Sequence, residues 1–224
     1  MVAAVIVAAG LGKRFGPDTD KLFLEVAGLP VVAHTWRRFD RCEVIDEVVL
    51  VIRAGLESAF QDIGRTLSLA KPWRLVSGGD ERQDSVWNGI SAVSKGVDVV
   101  AIQDGARPCT APEVIAETVV AAREVGAAVA AQRVTDTIKE SGDGLTIDRT
   151  VDRSRLWAVQ TPQTFRTEII VRALEAVRNQ GARVTDDTAA CERLGIPVRL
   201  VESKAPNPKV TYPGDLPFVR SLLG

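Results

Sequence analysis

Histidine is almost absent from these 224 residues; His34 stands alone. Cysteine is nearly so, with Cys42, Cys109 and Cys191 far apart and odd in number. No pair has zinc-ligand spacing, so neither a disulfide framework nor a zinc site organises the chain, and a reducing compartment, the cytoplasm, fits. Charge imbalance is lacking too. Lys plus Arg number 28 and Asp plus Glu 29, a net charge of -1. No overall field exists to draw in nucleic acid or an anionic membrane, so any anion must be held by local clustering. Long apolar runs are also missing. The opening "MVAAVIVAAG" lacks a basic flank and reads as a buried strand, not a signal peptide. Nothing approaches the roughly 20 apolar residues of a transmembrane helix. There are no internal repeats, low-complexity tracts or dividing linkers. A chain of this length buries enough surface to fold without staples as one domain, 1–224.

What is present is alternation. Short, nearly continuous apolar runs at Ala3–Ala8, Val48–Ile52, Val99–Ile102, Ala127–Ala131 and Val198–Val201 read as strands buried on both faces. Between them, helical patterns cover roughly Val31–Phe39, Glu57–Leu69, Gln83–Val93, a segment opened by "TAPE", Thr167–Arg178 and "DDTAACERLG". In "TAPE", Thr110 and Glu113 have capping-box spacing, with Pro112 in the first turn. Gly195 stops the last helix. The alternation predicts an α/β fold with a mostly parallel sheet and helices on both faces. One segment, 133–160, breaks the rhythm. "TDTIKESGDGLTIDRTV" reads as a hairpin around Asp143-Gly144, with Ile138, Leu145 and Ile147 alternating beyond a polar tip. An isolated hairpin is marginal in water. It therefore either folds over its own domain or embraces a second subunit.

In open parallel sheets, ligands sit beyond the carboxyl ends of the strands. Four polar loops gather there. The first is "AAGLGKRFGPDTDK". A dinucleotide fingerprint needs a glycine where Phe15 stands, and a P-loop needs Ser or Thr where Arg14 stands, so both assignments fail. What remains is a small-residue turn, Ala8-Ala9-Gly10, that lets backbone approach a ligand closely, with the cations Arg14 and Lys21 further on. The second loop is "SGGDERQDS", where Asp80 and Ser85 can hydrogen-bond a base or sugar. The third is "IQDGARP". Asp104 falls at a strand's carboxyl end and suits a hard cation such as Mg²⁺, typically held by one or two carboxylates plus substrate phosphates; Arg107 can pair with it or with an anion. The fourth, "SKAPNPKVT", presents Lys209. Each loop taken alone also reads as an ordinary turn with solvated charges.

Their joint occurrence, in order and each at a strand end, is more specific. "AAGLGKRFG" with Lys21, "GGDERQDSV", "DGARP", "DTIK", "TVDR", "WAVQTPQTF" and "KVT" resemble the motif series of the 2-C-methyl-D-erythritol 4-phosphate cytidylyltransferase family, from Val2 to about Asp215. The first loop alone would indicate only the wider sugar-nucleotidyltransferase group. The resemblance implies a single-domain, mostly parallel Rossmann-like sheet with a protruding β-hairpin arm. It implies transfer of CMP from CTP to methylerythritol phosphate with Mg²⁺ in non-mevalonate isoprenoid synthesis. It further implies a homodimer formed through the arm 133–160, with the second-substrate site close to that arm. By the same resemblance, Ala8, Ala9, Gly10 and Gly12 line the nucleotide loop, and Gly79, Asp80 and Ser85 hold the cytosine. Asp104 takes Mg²⁺. Arg14 and Lys21 stabilise the transition state. Arg153 and Lys209 position methylerythritol phosphate, with Thr137, Arg107 and Thr161 nearby. The chain departs from the family pattern at Gly105, at the acids Asp18 and Asp20, and at Pro206 and Pro208. Asp18 and Asp20 either lower the positive charge beside Lys21 or face solvent. An alditol-phosphate cytidylyltransferase acting on ribitol 5-phosphate, or a nucleotide sensor without turnover, would share the nucleotide half.

Overall fold

The computed structural model describes every residue except Leu11, Pro17 and Asp18, with only the backbone at Lys13. The expectations for Asp18 lie outside the described residues. In chain order the elements are β1 (Val2–Ala8), β2 (Glu25–Val26), β3 (Leu29–Pro30), α1 (Val31–Arg41), β4 (Glu47–Ile52), α2 (Glu57–Leu67), β5 (Trp73–Ser77), α3 (Arg82–Ser91), β6 (Val99–Asp104), α4 (Pro112–Val125), β7 (Ala127–Arg133), β8 (Ile138–Glu140), β9 (Arg149–Val151), β10 (Trp157–Arg166), α5 (Thr167–Asn179), α6 (Asp187–Glu192), β11 (Arg199–Glu202) and α7 (Asp215–Leu223).

Seven strands form one sheet in the order β11-β7-β10-β6-β1-β4-β5. Neighbours pair in parallel except at β10, which runs antiparallel to both β6 and β7. The strands β1, β4, β6 and β7 read as apolar runs because both faces are covered. The edge strands β5 and β11 are partly exposed, so the run Val198–Val201 is not buried on both faces as expected. Along β1, Val2, Ala4, Ile6 and Ala8 face a layer built from α1, α2, α4 and α7. Ala3 and Val5 face the layer of α3, α5 and α6. Each fully buried valine or isoleucine in these layers contributes roughly 1.5–3 kcal/mol of transfer free energy. From β1 the chain builds outward through β4 to β5 and then returns to the other side of β1 with β6. The crevice above β1 and β6 is thus a topological switch point, where open α/β sheets bind ligands.

Two features differ from the sequence reading. The capping box expected at Thr110 is not formed. The residue before α4 is Ala111, which makes no side-chain cap. Thr110 Oγ1 instead donates to the Arg107 carbonyl and to Asn207 Oδ1, at 3.1 and 3.0 Å. The polar interior of the site competes for that hydroxyl and wins. The irregular segment is also shorter than 133–160, because β7 runs to Arg133 and β10 begins at Trp157. Between them β8 and β9 pair antiparallel, Ile138 opposite Val151. Asp143 organises the tip by accepting from the amides of Leu145 and Thr146 at 2.8 and 2.7 Å. The hairpin does not lie over its own domain. Residues 139–150 are exposed, Leu145 at 92% and Ile147 at 61%.

Candidate active site

The loops after β1, β4, β5, β6 and β11 enclose a cavity of about 600 Å³. Ala8, Ala9, Gly10, Gly12, Lys21, Gly79, Asp80, Ser85, Asp104 and Lys209, all singled out from sequence, line it. Ten candidates from four separate loops therefore meet in one cleft. The small residues are required there. A side chain at Gly78 would come within 2.4 Å of the Ala9 Cβ and 2.9 Å of Ser85 Oγ, so the loop after β5 packs directly on the loop after β1. Ser85 Oγ accepts from the Gly79 amide at 3.1 Å and fixes that loop to α3. Gly12 has φ +60°, a left-handed conformation that glycine adopts without strain.

Asp104, at the end of β6, is the charge centre. Lys209 Nζ lies 2.7 Å from its Oδ2, Arg107 Nε 3.8 Å from the same oxygen, and Arg82 Nε 3.7 Å from Oδ1. Burial alone would raise its carboxyl, but Lys209, Arg82 and Arg107 outweigh burial and hold it below the usual carboxylate range. At roughly 4 Å and an effective dielectric near 20, each such pair is worth about 4 kcal/mol of Coulomb attraction before desolvation. Arg82, which the sequence reading passed over, reaches back with its other nitrogen to Asp187 Oδ2 at 2.8 Å. Burial opposes its charge, yet Asp187 and Asp104 hold the guanidinium above its ordinary range.

Lys21 lines the same cavity, beside the Lys209–Val210 segment. Its ammonium donates to the Val210 carbonyl at 2.7 Å. Burial first, then the neighbouring Lys209, push it below the ordinary lysine range. Asp20, left open by the sequence, has an ordering role. Its carboxylate accepts from the Leu22 amide at 3.1 Å and pairs with Arg53, a further lining cation. Arg14 does not line the cavity. It is exposed on a short 3₁₀ turn, Lys13–Phe15, with its guanidinium 5.5 Å from the ring centre of Tyr212.

The other candidates are distributed differently. Thr161 is buried, and its hydroxyl accepts from the Asp104 amide at 3.1 Å, so it holds the backbone behind the cleft. Arg107 backs Asp104 and donates to the Asn207 carbonyl at 2.6 Å. Thr137 and Arg153 are exposed at the arm, where Arg153 donates to the Thr135 carbonyl; neither reaches the cavity of its own chain.

Lys209 is aimed by Asn207. The buried Asn207 side chain donates to the Thr161 carbonyl at 2.9 Å and to Gln160 Oε1 at 3.2 Å, and accepts from Thr110. Val210 then donates to the Ala106 carbonyl at 2.8 Å. Asn207→Ala would leave buried partners unpaired and is expected to lower stability by about 1–3 kcal/mol, measured by urea unfolding.

A model of the family described as 2-C-methyl-D-erythritol 4-phosphate cytidylyltransferase matches residues 2–224. The chain belongs to this family. A protein of that name from Geobacillus kaustophilus is 43% identical over 98% of this chain and 96% of its own length. Another from Pelotomaculum thermopropionicum is 42% identical over 99% and 94%. The crystal structure of a 4-diphosphocytidyl-2C-methyl-D-erythritol synthase from Anaerococcus prevotii superposes with a TM-score of 0.87 at 30% identity, covering 99% of this chain and 95% of that one. The cytidylyltransferase crystal structure from Thermus thermophilus gives 0.80 at 30% identity, with 97% and 96% covered. Arg53 and Asp187 carry no site signal in the sequence, whereas Arg82 stands inside the motif "GGDERQDSV" without being singled out there. Asp187 lies 105 residues from Arg82, and only the fold joins them.

Proposed function

We propose that this cytidylyltransferase transfers CMP from CTP to 2-C-methyl-D-erythritol 4-phosphate for isoprenoid synthesis, in the cytoplasm. An acceptor phosphate oxygen attacks the α-phosphorus of CTP in line; the new P–O bond forms as the bond to the bridging oxygen breaks, and pyrophosphate leaves with that oxygen. The acceptor phosphate is already ionised at neutral pH, so no general base is needed. The difficulty is bringing anions together and stabilising the charge that grows on the α-phosphate, which calls for fixed cations. The observation that carries the reading is the convergence of Lys21, Arg53 and Lys209 on a cleft walled by Ala8, Ala9 and Gly10. In this reading the small-residue turn and the Gly79–Ser85 loop take the nucleotide. Lys21, with Arg14 swinging from Tyr212, stabilises the reacting phosphorus. Lys209, with Arg107 and Thr161 behind it, orients the acceptor.

Asp104 fits Mg²⁺. Its Oδ1 accepts no hydrogen bond among the described residues, with Arg82 Nε 3.7 Å away, and Asp104 lines the cleft. No cluster of three possible protein ligands exists among those residues, so substrate phosphates and water would complete the shell. When bound, such an ion supplies positive charge to the phosphates.

The arm supports a homodimer. It stands clear of its own domain, carries Thr137 and Arg153, and exposes Leu145 and Ile147. Against a partner's cleft, Thr137 and Arg153 would contact the acceptor. Changing both Leu145 and Ile147 to Asp is expected to give monomers in sedimentation velocity and to cost turnover while CTP still binds.

The lowered Lys21 sets the pH dependence. The ammonium is the useful form, so kcat/KM for CTP, which reports the free enzyme, falls as pH rises through that lowered value. The alkaline limb should therefore lie below the ordinary lysine value of 10.5. A profile flat to that pH would contradict the assignment.

A further inference from the structure

The segment "VTDDTAAC" and its short helix α6 lie outside the reaction as described, yet they reach the cleft through one buried carboxylate. Asp187 is fully buried, and its Oδ1 has no hydrogen-bond partner among the described residues. Its position is fixed from two sides. Gln163 on β10 accepts from the Asp187 amide at 2.9 Å and donates to Asp186 Oδ2 at 2.9 Å. Asp186 itself caps α6 by accepting from the Ala189 amide at 2.9 Å. The single strong partner of the Asp187 side chain among those residues is the Arg82 guanidinium, at 2.8 Å, against 3.7 Å from Arg82 to Asp104. Arg82 therefore stands between two carboxylates and is bonded to the one outside the cleft.

We propose that Asp187 is a positioning residue that draws Arg82 away from Asp104 and so keeps Asp104 Oδ1 free of a hydrogen bond. The inference rests on the cytidylyltransferase reading, in which that oxygen is the one offered to Mg²⁺. Without the charge of Asp187, Asp104 is the carboxylate left within 4 Å of Arg82 among the described residues, with Asp186 further away. Arg82 closes on Asp104 as a charge-assisted hydrogen bond, normally about 2.7–2.9 Å long, and competes with the metal. The motif "TPQ" acquires a role as well, since its Gln163 aligns Asp186 and Asp187.

The test compares wild type, Asp187→Asn, and the double variant Arg82→Gln with Asp187→Asn, which buries neither charge. Crystal structures without nucleotide give the Arg82–Asp104 distance. Mn²⁺ binding in the presence of CTP, followed by electron paramagnetic resonance, gives metal affinity apart from turnover. In Asp187→Asn, the distance should shorten to hydrogen-bonding range and Mn²⁺ affinity should fall about tenfold. The double variant should recover to within about threefold of wild type. An unchanged distance and affinity in a folded Asp187→Asn overturns the proposal. So does a double variant as weak as the single. Should Asp187→Asn fail to fold, the double variant decides: near-wild-type Mn²⁺ affinity supports the proposal, and a tenfold loss overturns it. Failure of the cytidylyltransferase reading would appear separately, as wild type that does not bind CTP.

Discussion

Lys21→Ala is expected to lower kcat by about 10²–10³-fold while leaving the KM for CTP within about threefold of wild type, the signature of a group that acts on transition-state charge. The geometry explains why alanine cannot be compensated. The ammonium is held by the Val210 carbonyl, and the Gly12 turn sits against its chain, with a Cβ position 3.5 Å from Lys21 Cγ. Water entering the vacated space would bring no charge. Arg53 is tied to Asp20, and Lys209 is tied to Asp104, so neither is free to move across. Steady-state kinetics at saturating acceptor separate the outcomes. A raised KM with unchanged kcat would show that Lys21 only binds nucleotide.

The second large effect is at Asp104. Asp104→Asn removes the carboxylate that three cations share and the oxygen we propose for Mg²⁺. Turnover is expected to fall at least about 10²-fold, with a higher Mg²⁺ requirement. Stability should fall by about 1–3 kcal/mol, less than the roughly 3–5 of a fully enclosed pair, because Lys209 and Arg82 still reach solvent. The sign of the pH dependence follows from the lowered carboxyl. Its contribution is fully present above the unfolded value of 3.8 and is lost as pH falls through the lower folded value. The stability gap between wild type and Asp104→Asn should therefore be constant near neutrality and close in acid. Urea unfolding at several pH values measures it, and a gap that persists in acid would contradict the carboxylate's role.

The sheet was legible because β1, β4, β6 and β7 are covered on both faces and so carry unbroken apolar runs. The strand β10 was not legible as a strand. "WAVQTPQTFR" holds a proline and several polar residues, and these are buried as bonding partners instead of grease. Thr164 donates to Thr118 at 3.0 Å, and Gln163 bridges to α6. The helix α7, with Pro217 in its first turn, had no periodic signal strong enough to stand out. The cleft was readable to the extent that its residues sit just past strand ends. Ala8, Asp104 and Lys209 could be found that way, whereas Arg82 and Asp187 depend on a pairing between helices that no local pattern encodes. The arm was readable from the Asp143-Gly144 turn, and its extent was overstated because β7 and β10 extend past their apolar portions.

The most direct measurement is pyrophosphate release by the purified protein with CTP and Mg²⁺, comparing 2-C-methyl-D-erythritol 4-phosphate with ribitol 5-phosphate as acceptors. The account predicts rapid release that depends on methylerythritol phosphate, with ribitol phosphate poorer by at least about 10²-fold in kcat/KM, the scale of one lost transition-state contact. Preference for ribitol phosphate, or CTP binding with no release from either acceptor, would contradict it.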